Sequence, residues 1–338
     1  MTLRQWAAAA ADHVVAALAA EAGDPAAEVR ARWRGDALMH VAQLSAASAL
    51  GSARAFRQYV QWQRRLLMAR RLPAEELARS LRLLVAFFRQ ALPEDNRQAV
   101  LDLIAAGLHV LAGEEDVPDY ALEPAGLDPA AETLAETLLA GDGARARELL
   151  LTASREASLP EAVARIVRPA MRRIGWWWQA GRISVAQEHL ATETAHRAVD
   201  DAFTHAPRKP RRRRSALFAC VEGNRHALGM RTLADAFEIE GWTAFNLGAD
   251  VPTASLPGMV QALGPELVGL SVSMTTQLPA ARAAVEALRK LPDGAGIRVM
   301  LGGLASDSLH DAWRWVGADL AAGDAQEALA AAEGTRRA

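Results

Sequence analysis

With 338 residues, a 51% apolar composition and a formal charge of −2, the chain has the length for two or three domains that bury full cores without covalent staples. Its one cysteine, Cys220, excludes a disulfide framework or a thiolate metal cluster, so a reducing cytoplasm is the expected compartment. The near-neutral charge gives no global pull toward nucleic acid or anionic membrane, and no apolar run approaches the 18 residues a spanning helix needs. The alanine-rich start is interrupted by Arg4, Asp12 and His13 and does not read as a signal peptide. Lys209 and Lys290 are the only lysines, and the excess of arginine and alanine is read as genomic base composition.

The first 112 residues predict an all-helical domain of about five or six helices. Thr2 with Gln5 forms a capping-box pattern, and Asp24-Pro25 reads as an N-cap followed by proline at the first helical position. Gly35-Asp36, Gly51-Ser52, Leu72-Pro73 and Pro93-Glu94 mark further breaks. Between them Phe56, Tyr59, Val60, Gln63 and Leu67 share one helical face, as do Leu81, Leu84, Val85 and Phe88. Residues 113–127 are acidic, contain proline and lack a period, which predicts a linker. Residues 128–207 then show helices near 129–140, 142–157, 160–180 and 184–205, broken at Gly141, Ser158-Leu-Pro160 and Gly181. Short connections between helices of this length predict an antiparallel four-helix bundle.

Residues 208–214 are a second, basic linker. Beyond them short apolar runs at 215–221, 242–247, 266–272, 297–301 and 318–321 alternate with helical patterns at 226–240, 253–262, 277–291, 306–315 and 324–335. This alternation predicts a doubly wound, five-stranded parallel sheet over 215–336, so the chain is of mixed α and α/β class. Ligands of such sheets sit at the carboxyl ends of the strands, which directs attention to the loops after residues 221, 272 and 301.

Those loops carry the chemistry. After the first strand comes Glu222-Gly-Asn-Arg-His-Ala-Leu-Gly229, with His226 where strand gives way to helix and Gly229 removing bulk where a large ligand must pass. After the third comes Leu270-Ser-Val-Ser-Met-Thr275, and after the fourth Leu301-Gly-Gly303, whose paired glycines let a planar group lie against backbone. In the bundle, Trp178 precedes Glu188-His189 with nine residues between.

The segment from 215 onward resembles the cobalamin-binding domain shared by methionine synthase, mutases and light-sensing transcriptional regulators. That family's pattern is Asp/Glu-x-His-x-x-Gly, then a serine after the third strand, then Gly-Gly after the fourth. Here it reads Asn224-Arg225-His226-Ala-Leu-Gly229, Ser271-Val-Ser273 and Gly302-Gly303. The resemblance implies that His226 replaces the nucleotide base as lower axial cobalt ligand. It implies that Ser271 bonds the displaced dimethylbenzimidazole tail, that the glycines line the tail's tunnel, and that Arg225, Ser273 and Thr275 border the cofactor. Asn224 departs from the pattern: a carboxylate there would orient the imidazole and raise its basicity, whereas asparagine brings no charge, so a weaker Co–N bond is expected.

The tryptophan and Glu-His pair is similar to the signature of B12-dependent photoreceptors, whose four-helix bundle caps the upper face of the corrin. By that resemblance Trp178 covers the upper ligand, Glu188 and His189 contact its ribose or adenine, and adenosylcobalamin is favoured over a methyl form. Trp176, Trp177 and Trp178 fan out by about 100° each on a helix, so one of them faces the corrin while the others pack elsewhere. Some relatives place a histidine directly after the capping tryptophan. This chain has Gln179, which leaves His189 and His196 as candidate substitutes, each also readable as a polar residue of the helix surface. The stretches Ala55–Leu67 and Arg71–Leu77 resemble the globin-like sensor domains of some B12 regulators, among them the photocobilins, which hold biliverdin beside the corrin. With no cysteine in this region, a bilin would be held noncovalently; His13, His40, His109, Trp33, Trp62, Phe87 and Phe88 are the residues in view.

The expected function is a cobalamin photoreceptor, not an enzyme, that signals by a change in self-association (a homo-oligomer) or in the interface to a regulatory partner. The alternatives are a corrinoid methyl carrier and a transcriptional regulator acting through a DNA-binding partner. Direct nucleic-acid binding by residues 208–214 is disfavoured, since the run contains proline and no interleaved aromatics. No dinucleotide or Walker phosphate loop is present, and the serine, aspartate and histidine of residues 306–310 lie at successive helical positions that cannot form a triad.

Overall fold

The computed structural model describes residues 3–23, 25–113, 126–309 and 311–334. Thr2, Asp24, most of the 113–127 linker, His310 and residues 335–338 lie outside the described residues, and with them the Thr2 capping box and the Asp24 cap. The chain divides into two compact units, residues 1–121 with 179–181 and residues 122–178 with 182–338.

The first unit is helical: a short 3₁₀ turn, Leu3–Trp6, then α1 (Ala7–Ala22), α2 (Ala27–Leu50), α3 (Ala53–Ala69), α4 (Ala74–Ala91) and α5 (Glu94–Ala112). Gly51 in the left-handed region closes α2, and the Ser52 hydroxyl accepts from Ala55 N–H to open α3. Two expectations fail here. Pro25 precedes α2 rather than starting it, since the helix begins at Ala27 with Ala26 as its cap. Gly35-Asp36 does not break the helix. A mid-helix glycine costs about 1 kcal/mol, and burial of Ala37, Val41 and Leu44 along the same helix outweighs that. On α3, Phe56, Tyr59, Val60 and Gln63 are buried as their spacing requires.

The second unit opens with α6 (Pro129–Leu139) and α7 (Gly143–Glu156), each started by an aspartate whose side chain accepts from the first turn. The helix expected over 160–180 is interrupted. It begins as α8 (Leu159–Ala162), passes through a π-turn at Val163–Val167, and resumes as α9 (Arg168–Gln179). Pro169 explains the turn. It has no N–H to offer and its ring would crowd the carbonyl four residues back, so the chain widens and Arg168 N–H bonds to Val163 O instead. The bundle is completed by α10 (Val185–His205), which a full capping box between Ser184 and Gln187 starts.

The sheet strands are β1 (Ser215–Cys220), β2 (Thr243–Asn246), β3 (Leu267–Ser271), β4 (Arg298–Gly302) and β5 (Leu320–Ala321), all parallel, in the order β2-β1-β3-β4-β5. Each falls within about two residues of its expected span. All five residues of β3 are buried, as strands covered on both faces require. The helices between them are α11 (Leu228–Ile239), α12 (Leu256–Leu263), α13 (Leu278–Arg289), α14 (Leu304–Ser308), α15 (Ala312–Val316) and α16 (Ala325–Glu333). The single helix expected at 306–315 is two short ones. Leu309 leaves the helical region with φ −126° and ψ 88°, which ends the first of them. Among the described residues no helix is long and apolar enough to cross a membrane.

The bundle and the sheet domain meet along α8, α10 and α11. There Arg231 Nη2 lies 2.8 Å from Asp200 of α10 and its Nε 3.2 Å from Asp235 of α11 itself. Asp235 is buried beside Leu159, Pro160, Val163 and Ile239, one carboxylate oxygen has no donor, and burial pushes its pKa up to about 6 despite Arg231. A raised carboxyl pKa contributes stability that is complete below the unfolded value, near 4, and lost as the pH rises through about 6. Asp235→Asn keeps an acceptor for Arg231 and removes the charge. Its thermal midpoint should exceed the wild type's by a few degrees at about pH 8, with the gap closing toward about pH 4. Midpoints that differ equally across that range would count against the assignment.

Candidate functional site

The strand order reverses direction between β1 and β3, so the loops leaving these two strands diverge and open a crevice at their carboxyl ends. The ends are in register: Cys220 pairs with Ser271, and Ser271 with Gly302. The three sequence motifs therefore converge on one edge.

The turn after β1 presents His226 outward, with Arg225 exposed beside it, while Asn224 is fully buried beneath. Asn224 is fixed by hydrogen bonds whose directions identify each side-chain atom. Its Oδ1 accepts from His226 N–H at 3.1 Å, its Nδ2 donates to Ser271 O at 2.9 Å and reaches Ser271 Oγ at 3.3 Å, and its own N–H donates to Val221 O. His226 Nδ1 stands 3.3 Å from the same Oδ1. An oxygen at that position calls for a proton on Nδ1, which leaves the Nε2 lone pair for a metal. Ser271 Oγ accepts from Asn224, so its own proton is available to another acceptor. Below the turn, burial pushes the Cys220 thiol up to about 11, and it stays protonated, 3.6 Å from the His226 carbonyl it faces. The donor set suits a single imidazole bond to cobalt. Among the described residues there is no cluster of His, Cys, Asp and Glu that could hold an ion by itself.

At the end of β4, Gly303 has φ +98° and a Cβ there would stand 2.3 Å from Val272 O and 3.0 Å from Ser271 Oγ. A Cβ on Gly302 would stand 2.9 Å from Ala322 O. These glycines are demanded by backbone contact within the sheet domain itself. Gly229, at the start of α11, has open space where its side chain would be, which fits clearance for a ligand. Ser273 and Thr275 are half-buried in the turn after β3.

On the bundle, Trp178 is half-buried on α9, and Glu188 and His189 stand in the first turn of α10. Glu188 accepts from Thr192 Oγ1 at 2.8 Å and lies 3.6 Å from the exposed His189 ring. The other two tryptophans are engaged elsewhere: Trp177 packs on the bundle core and Trp176 lies under the Arg182 guanidinium at 4.4 Å. Gln179 closes α9.

Two residues escaped the sequence reading. Gln277, at the start of α13, and Asp250, after β2, both bond to the backbone of the His226 turn. Asp250 Oδ1 accepts from Gly223 N–H at 2.7 Å and its N–H donates to Asn224 O, with Asp250 itself at φ +52°. An Asp in the loop that follows β2, after Gly248-Ala249, is a weak signal in sequence.

The basic run of 208–214 is largely neutralised within the domain. Lys209 pairs with Glu240, Arg212 with Glu333, Arg214 with Glu266, and Arg208 approaches Glu238. In the first unit His40 is buried, pushed down to about 4 by that burial, with Nδ1 2.5 Å from the Tyr59 hydroxyl. It is a core hydrogen bond.

A parallel sheet whose first and third strands lead to a histidine and a serine joined through Asn224, preceded by a helical bundle, is the frame of a corrinoid-binding module. The chain carries the B12 binding domain: its family model matches residues 214–333, and a second B12 binding domain model matches residues 130–200. The HTH-type transcriptional repressor CarA of Myxococcus xanthus is 38% identical over 106 residues, 30% of this chain and 34% of that one. The repressor CarH of the same organism is 30% identical over 185 residues, 53% of this chain and 60% of that one. The chain thus spans from about a third to three-fifths of these relatives. The monomethylamine corrinoid protein of Methanosarcina barkeri has the same fold over 60% of this chain and 96% of its own, with a TM-score of 0.51 at 22% identity.

Proposed function

We propose that this chain is a non-catalytic, cytoplasmic light sensor whose chromophore is adenosylcobalamin. The observation that carries the reading is the pairing of two sets on one compact unit: His226, Asn224 and Ser271 at the sheet edge, and Trp178, Glu188 and His189 on α9 and α10. His226 Nε2 would hold the cobalt from below, Ser271 the nucleotide tail, and Gly229, Gly302 and Gly303 would border the tail. Arg225, Ser273 and Thr275 would line the corrin's rim. Cobalamin supplies a cobalt–carbon bond that light breaks. Trp178 and Glu188 would hold the upper ligand in the dark and lose that contact on illumination. The π-turn between α8 and α9 is the natural pivot for the cap helix, because a widened turn already departs from the regular ladder. The output would be a change in self-association or in the surface offered to a regulatory partner; likeness to two repressors supports a regulatory role.

The test uses purified protein loaded in the dark with adenosylcobalamin or methylcobalamin. Tighter binding of the adenosyl form, with a change in oligomeric state after green light, is expected. A preference for methylcobalamin and an assembly indifferent to light would replace this reading with a methyl carrier. Co-expression with cobalamin and biliverdin tests the N-terminal unit: a red-absorbing band that survives purification would establish a second chromophore.

A further inference from the structure

Gln277 is 93% buried and spends three hydrogen bonds, all on backbone, joining the two loops that flank the crevice. Its Nε2 donates to Gly223 O at 2.9 Å, in the turn that carries His226. Its Oε1 accepts from Ser273 N–H at 2.8 Å and from Met274 N–H at 3.0 Å, in the turn that follows Ser271. Asn224 makes the parallel connection one residue further on, from the His226 turn to Ser271. The loops after β1 and β3 are thereby cross-tied at two points, one beneath the imidazole and one beside it.

The backbone needs the tie. Gly223, at φ +83°, is the most freely rotating residue of the turn, and nothing stands within 4 Å of where its side chain would be. The Gly223–Asn224 peptide is anchored at its N–H by Val221 O, and the preceding peptide by Asp250 at Gly223 N–H, while Gln277 supplies the side-chain donor to Gly223 O. Rotation there would swing Asn224 and His226 together. A metal ligand must be held to within about half an ångström of its productive position, so a loose peptide three residues upstream would be felt at the cobalt.

We propose that Gln277 is a positioning residue for the axial histidine: by clamping the Gly223 peptide to the loop after β3, it preorganises the His226 turn for cobalt coordination. The proposal rests on the reading of His226 as the cobalt ligand. Gln277→Leu removes both ends of the clamp. Gln277→Glu separates them, since an ionised carboxylate still accepts from Ser273 and Met274 but turns an oxygen toward Gly223 O and cannot donate.

The experiment measures hydroxocobalamin affinity and the histidine-coordinated absorption spectrum for wild type and both variants, with the apoprotein thermal midpoint as a check on folding. Both variants are expected to lose on the order of tenfold in affinity near pH 8, with a smaller histidine-coordinated fraction. Protonation of the buried carboxyl in Gln277→Glu restores a donor to Gly223, so this variant should regain affinity as the pH falls from about 8 toward about 6, while the wild type does not. If Gln277→Leu fails to fold, the pH response of Gln277→Glu decides alone. Wild-type spectra and affinity in both variants, or a Gln277→Glu deficit that acid does not reverse, would overturn the proposal. A wild-type protein that shows no histidine coordination would instead remove the reading of His226 on which it stands.

Discussion

Replacing His226 with alanine should abolish the histidine-coordinated spectrum of bound cobalamin and weaken its affinity by on the order of 100-fold, leaving the apoprotein as stable as the wild type. The two halves of this expectation have separate causes. The imidazole is exposed, and its Nδ1 meets Asn224 Oδ1, which keeps a second donor in the His226 main chain. Its removal therefore orphans no buried group, and surface changes of this kind stay within about 0.5 kcal/mol. The ligand bond has no such substitute within the three motifs, since residues 222–229, 270–275 and 301–303 hold no second histidine. Absorption spectroscopy with a binding titration checks it, and a histidine-type spectrum in the variant would refute the coordination scheme. Asn224→Asp belongs to the same argument. A carboxylate beneath Nδ1 would make Nε2 a better donor, and tighter retention of the axial bond, by about tenfold, is expected. It also turns an anion toward Ser271 O, where Asn224 now donates, so this variant should unfold at lower temperature without cofactor.

Much of this arrangement was legible in the chain because the signals were redundant. The β3 strand is an unbroken apolar run, the strand spacing repeats, and each motif ends a strand. What was missed has a different character. Gly35-Asp36 looked like a break because local propensity disfavours helix there, but a buried face outweighed it. Pro169 sits deep inside a helical pattern, and sequence spacing alone does not say that the chain answers with a π-turn rather than a kink. Gln277 and Asp250 act through backbone atoms of a loop distant in sequence, and a bond to a carbonyl leaves no mark on the residue type at its far end. Side chains that touch a ligand fall into motifs, whereas those that hold a loop still are found from coordinates.

Gly303→Ala should be the most disruptive single change at the site, and Gly229→Ala the most discriminating comparison with it. At Gly303 two penalties add. A φ of +98° is strained for any residue with a Cβ, and that Cβ would meet Val272 O at 2.3 Å. The carbonyl cannot retreat freely, because it accepts from Ala305 N–H, while Val272 N–H is bonded to Gly302 O. Strain and overlap together should cost about 2–4 kcal/mol, a fall of roughly 4–16 °C in the unit's midpoint, and cobalamin binding should fall with it. Gly229 lies in the first turn of α11 with a helix-compatible φ and nothing within 4 Å. Alanine there should leave the midpoint unchanged or raise it slightly, since it gives up less entropy on folding than glycine. If that open space is clearance for the cofactor, the variant should nonetheless bind cobalamin more weakly. Thermal scans of both apoproteins with parallel titrations separate the cases. A Gly229→Ala protein that binds as the wild type does would mean the cofactor lies clear of α11, and the lower crevice would have to be drawn around β3 and β4 instead.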